Sequence, residues 1–143
     1  MKSKSVIITL YFIFGVLNLS LAQSVLEGTW KSIKQIYILP DTTYTATGDE
    51  VANLVKIINQ THFATIFQSD SIQNSMFNGG KYVLTDDTYT ENLEYFSDPN
   101  LIGKSFTFKS KIKDGIWTIE GPIQKEGEEP PAWKIHEEYK KVN

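Results

Sequence analysis

The sequence contains no cysteine and no arginine. The first absence excludes disulfides, a thiol nucleophile, thiolate metal sites and lipidation of an N-terminal cysteine. The second means that all 14 basic residues are lysines, so no bidentate guanidinium clamp for a carboxylate or phosphate can be built. Histidine is scarce as well. His62 and His136 are the only two, and a metal site would have to join His62 to Glu91 and Glu137, which no local spacing announces. No residue pattern calls for a cofactor. Positive charge is also short, with 14 basic against 17 acidic residues and a net charge of −3. That balance argues against nucleic acid or an anionic membrane as a partner.

Long apolar runs are confined to the start of the chain. Lys2 and Lys4 precede VIITLYFIFGVLNLSLA (6–22), which ends in Ser20-Leu21-Ala22 with small residues at the positions a signal peptidase reads. The expectation is a signal peptide over 1–22, cleaved after Ala22, and one domain over 23–143. An uncleaved anchor is the alternative, since Val6 to Ala22 is just long enough to span a bilayer. The removed segment takes two lysines and no acid, leaving 12 basic against 17 acidic residues, a charge of −5. A secreted or periplasmic protein without a membrane partner after cleavage is expected.

From Gln23 onward, short β-branched and aromatic runs alternate with polar turn clusters, with little helical periodicity. About eight strands are predicted: Gly28 to Ile38, Val51 to Ile58, His62 to Ser69, Met76 to Thr85, Thr88 to Phe96, Lys104 to Lys113, Ile116 to Gly121 and Ala132 to Val142. Short links imply antiparallel meander pairing, and an even set of strands can remove its edges by closing into a barrel. The longest link, Leu39 to Glu50, is read as a connection that covers one mouth, with a turn of helix near Asp49 to Asn53. The acidic loop KEGEEPP, Lys125 to Pro131, is read as a solvated hairpin end.

Two hairpins fix register. In KIKDGIWTI, a two-residue Asp114-Gly115 turn pairs Ile112 with Trp117 and Ser110 with Ile119. Phe106, Phe108 and Trp117 then share an inner face, while Lys109 and Lys111 face water. In TDDTYTENLEYF, a turn at Asp86-Asp87 pairs Tyr82 with Glu91 and Gly80 with Leu93. Tyr89, Glu91, Leu93 and Tyr95 fall on the face expected to be buried, which places a carboxylate among apolar neighbours. The simplest account is a hydrogen bond from the Tyr82 hydroxyl to Glu91. Gly79-Gly80 reads as a bend or bulge rather than a phosphate loop.

The segments KIINQTHF, FNGGKYVLTDDTYTENLEY, LIGKSFTFKSKI and WKIHEEYKKV resemble successive motifs of the DUF4488 lipocalin-like family of secreted Bacteroidetes proteins. LEGTW is similar to the Gly-x-Trp opening of lipocalins. The matching positions are Gly28, Trp30, Thr61-His62-Phe63, Gly79-Gly80, Tyr82, Tyr89-Thr90-Glu91, Gly103-Lys104 and Glu137. The resemblance implies an all-β, eight-stranded antiparallel up-and-down barrel of calycin type, and no particular activity. Tyr139-Lys140-Lys141 stands where the family usually has tryptophan followed by Lys-Arg, so Lys140 or Lys141 would take the place of an arginine packed over Trp30. Trp30 itself is read as a plug for one barrel end, with a ligand-stacking platform as the alternative.

In AWKIHEEYKKV, Trp133, Ile135, Glu137 and Tyr139 alternate with Lys134, His136, Glu138 and Lys140, so Glu137 is a second inward carboxylate. Three readings compete. Glu91 and Glu137 belong to a structural network of tyrosines and water in a ligand-free core, or they are the convergent polar groups of a pocket for a small apolar or amphipathic molecule. In the third, Glu91, with Glu137 and His62 as further candidates, is the acid or base of an isomerase, cyclase or hydrolase. The pocket reading is lined by Tyr82, Tyr89, Glu91, Tyr95, Phe106, Phe108, Trp117, Trp133, Glu137 and His62. The face of His62 is open: a two-residue turn at Asn59-Gln60 pairs it with Ile57 and a three-residue turn with Ile58. Cavity volume separates these readings, since an enclosed void well below a few hundred Å³ excludes a carrier.

Overall fold

The structure, a computed structural model, describes residues 25–71, 74–123 and 133–142. The expected signal peptide and the acidic loop at 125–131 lie outside the described residues. Among the described residues, no helix is long and apolar enough to cross a membrane.

The described residues form nine strands: β1 (Gly28–Ile38), β2 (Thr43–Thr47), β3 (Leu54–Ile58), β4 (His62–Phe67), β5 (Met76–Thr85), β6 (Thr88–Phe96), β7 (Ser105–Lys113), β8 (Ile116–Ile123) and β9 (Trp133–Lys141). β1 and β3 to β9 pair in sequence order, and β1 meets β9 along the seam, so eight strands close an antiparallel barrel. β2 is the ninth. It lies in the link read as a mouth-covering connection, and pairs with residues 34–38 of β1 where β3 pairs only with residues 28–31. Its TYTAT sequence buries Ala46 alone, so burial left little pattern in the sequence. A 3-10 turn at Gly48–Glu50 follows, and β3 begins three residues later than expected.

Both hairpin registers hold. Ile112 faces Trp117 and Ser110 faces Ile119 across a turn in which Asp114 and Gly115 take positive φ (53° and 76°), the backbone a tight two-residue hairpin demands. Tyr82 faces Glu91 and Gly80 faces Leu93. Beyond that point Gly79 faces Tyr95, so Glu94 is the extra residue of a β-bulge. The lower end, where β1 starts and the turns at 59–61, 86–87 and 114–115 lie, is filled by aromatic side chains. Trp117, Tyr89 and Tyr139 are fully buried there, and Trp30 packs 5.3 Å from Trp117 between ring centroids. The upper end is the mouth.

Candidate functional site

Halfway up the lumen, three charged side chains meet. Period-2 alternation along β3 turns Leu54, Lys56 and Ile58 inward, so a lysine enters the core with only 3% of its side chain exposed. Its Nζ donates to Glu91 Oε1 at 2.6 Å and stands 3.9 Å from Glu137 Oε2. The first distance is a charge-assisted hydrogen bond, and the second is beyond hydrogen-bond reach. The ammonium also lies 5.4–5.6 Å from the ring centroids of Phe63, Tyr89, Trp117 and Tyr139. Four aromatic quadrupoles and a carboxylate together replace the water this cation gave up.

Glu137 is held from below, where the Tyr139 hydroxyl donates to its Oε2 at 2.6 Å. Burial raises its carboxyl above the ordinary glutamate pKa; Lys56 and Tyr139 pull it down and Glu91 pushes it up, without reversing the shift. Burial likewise pushes the Tyr139 and Tyr89 hydroxyls well above the usual tyrosine value, reinforced by Glu137 and Glu91 respectively. The Tyr89 hydroxyl feels Glu91 in this way without making a hydrogen bond of standard geometry.

Above the triad the lumen is hollow. A cavity of about 130 Å³ opens toward the mouth, with Lys56, Thr65, Asn78, Glu91 and Glu137 as its polar groups and side chains such as Leu93, Phe96, Phe106, Ile135 and Trp133 as its walls. A wider hollow of about 490 Å³ lies on the outer face across β1, β7, β8, β9 and the start of β6, but it is open to solvent and lies outside the triad. The interior cavity is therefore the site with convergent chemistry.

Residues 25–143 match the model of a domain of unknown function, DUF4488. The chain belongs to the DUF4488 family. Among solved structures, this DUF4488 barrel is similar to a lipocalin-like protein from Bacteroides uniformis, at 16% identity and a TM-score of 0.51, over 82% of this chain and 98% of that one. It is similar to an uncharacterized protein from Bacteroides eggerthii, at 16% identity and a TM-score of 0.50, over 81% of this chain and 98% of that one. At this identity the likeness establishes the lipocalin-like barrel alone. No curated protein matches the chain.

The DUF4488 barrel sorts the expected site residues into three groups. Glu91, Phe106, Phe108, Trp133 and Glu137 line the cavity. Tyr82, Tyr89 and Trp117 are buried beneath it, in the packed lower half. Tyr95 and His62 are outside. The bulge at Glu94 turns Tyr95 out to 64% exposure and brings Phe96 into the lumen in its place. His62 faces Asn59 across a Gln60-Thr61 turn, one step from the expected Ile58 register and two from the Ile57 one. Asn59 Oδ1 fixes that turn by accepting from the backbone N–H groups of Thr61 and His62, and the imidazole then sits on the outer face, 3.8 Å from Glu94. This removes His62 from the acid–base candidates and from any metal set with Glu91 and Glu137. The Tyr82 hydroxyl also differs from expectation, donating to the Asn59 carbonyl rather than to Glu91.

Lys56, the residue Glu91 actually serves, was not among the expected candidates. LVKII reads as an apolar run with one lysine, yet the alternation that singles out Glu91 places Lys56 between Leu54 and Ile58 on the inner face. Trp30 packs at the lower end with its indole N–H donating to the Leu26 carbonyl at 2.7 Å. Lys141 Nζ stands 5.4 Å from its ring centroid, so of Lys140 and Lys141, the two lysines expected over Trp30, Lys141 packs there. That position, below the cavity, is the plug's.

Proposed function

We propose that this barrel binds a compact, largely apolar molecule in its upper lumen, in a secreted or periplasmic setting consistent with the signal-like start of the chain. The observation that carries the reading is the combination of apolar walls with a small set of convergent polar groups inside a lipocalin-like barrel. Volume bounds the guest. At about 130 Å³ the cavity is below the few hundred Å³ of ordinary ligand sites, which favours a compact guest over a lipid- or drug-sized one. An apolar cavity of about 150 Å³ accepts benzene, which sets the scale at one ring. Native mass spectrometry of protein purified from its own host tests this directly. A retained mass of about that size is expected, and a long-chain guest held along its whole length would contradict it.

One observation favours a second reading, acid–base chemistry: Glu137 lines the cavity and its carboxyl holds its proton more tightly than an ordinary glutamate. In that reading Glu137 takes the role expected of Glu91, which is engaged by Lys56.

A further inference from the structure

The floor of the cavity is unevenly satisfied, and on the binding reading above that imbalance describes the guest. Register places Lys56 opposite Thr65 and Thr65 opposite Asn78, making a polar row across β3, β4 and β5. Thr65 is 4% exposed, and its Oγ1 has no partner; Asn78 Oδ1 is buried and unpartnered in the same way. Both residues line the cavity. Buried oxygens without partners are uncommon in folded proteins, and a donor at the cavity floor would satisfy these two after a small turn of their side chains.

Charge points the same way. Two carboxylates face one ammonium, which hydrogen-bonds to Glu91 and leaves Glu137 at 3.9 Å. A carboxylate or phosphate head on the guest would bring a third negative charge into a poorly hydrated space. A second ammonium would instead balance the charges two against two, and give Glu137 a cation within hydrogen-bond reach beside its Tyr139 donor. We propose that the guest is a primary amine, protonated, on a compact apolar body, with its ammonium seated between Glu137 and the Thr65–Asn78 oxygens. The body then contacts Leu93, Phe106 and Trp133 toward the mouth.

Titration of the isotopically labelled full chain with benzylamine, benzyl alcohol and benzoate, followed by amide chemical shifts, reads both location and affinity. Benzylamine is expected to shift amides of β4, β5 and β9 around the cavity and to bind about tenfold more tightly than benzyl alcohol, as a charge-assisted hydrogen bond implies, with benzoate weakest. Glu137→Gln should bring benzylamine down to the level of benzyl alcohol, and Thr65→Val should weaken benzylamine without exposing a new charge. If benzyl alcohol or benzoate matches benzylamine on the unmodified protein, the amine assignment is overturned while the binding reading stands. If none of the three shifts the cavity amides, both fall together.

Discussion

Lys56 sets the energetic terms at the scale of single residues. Its ammonium is almost fully desolvated, and so is its partner Glu91, so neither tolerates the loss of the other. Lys56→Met should destabilise the fold by about 3–5 kcal/mol at neutral pH in urea unfolding, because two carboxylates are left buried without a cation. The triple variant Lys56→Met, Glu91→Leu, Glu137→Leu should recover most of that loss; a cost under about 1 kcal/mol for the single variant would show the triad to be energetically idle. Glu137 adds a pH dependence. Because its folded-state pKa is raised above 4.5, its protonated form is the one the fold favours, so its contribution is fully present below that value and is lost as pH rises through the folded pKa. The stability of Glu137→Gln relative to the parent should therefore improve between pH 4 and pH 8. Glu138, whose carboxyl is lowered chiefly by its hydrogen bond with His136, works in the opposite direction but is common to both proteins and cancels. A parallel pH profile for variant and parent would contradict the raised pKa.

Among the elements, β6 shows what period-2 reading can and cannot reach. Alternation placed Tyr89, Glu91 and Leu93 inside, and they are inside. It failed at Tyr95 because one extra residue reverses the faces, and only the Gly79-Gly80 pair across the ladder hinted at that. Gly80 is where the constraint sits. A Cβ there would lie 2.0 Å from the Asn92 carbonyl oxygen and 2.8 Å from the Glu94 amide nitrogen, backbone atoms of the bulge itself. Gly80→Ala is expected to cost about 3 kcal/mol or more by urea unfolding, and to raise amide exchange in the upper half of β6. A near-neutral substitution would mean the bulge can relax without loss. The turn before β4 and the short β2 were illegible for related reasons. His62's face depends on which two residues make a turn that Asn59 caps, and β2 gains its pairing from β1 rather than from an apolar face of its own.

The molecule as a whole divides into a packed lower half and a hollow upper half, with the triad at the boundary. Strand spacing and the Asp114-Gly115 hairpin reached an antiparallel meander able to close, since the turn residues mark strand number and short links, and the family resemblance supplied the eight-stranded barrel. Whether the lumen was hollow was not legible, because the same aromatic residues fill a barrel or line one, and the division depends on the depth at which each ring enters. The seam between β1 and β9 carries a separate consequence, in time rather than in energy. It joins the first barrel strand to the last, as in the contact between Lys34 and Glu138, 104 residues apart in sequence. Such a contact comes at the largest loop-closure entropy in the chain, whereas the hairpins from β3 to β8 close over short loops. β1 must therefore wait for β9, and both present an open strand edge until they meet. Each edge carries lysines, Lys31 and Lys34 on β1 and Lys134, Lys140 and Lys141 on β9. With Glu138 beside them on β9, these charged side chains make both edges costly to pair with an unmatched strand of a second unfinished copy while the chain completes its own closure.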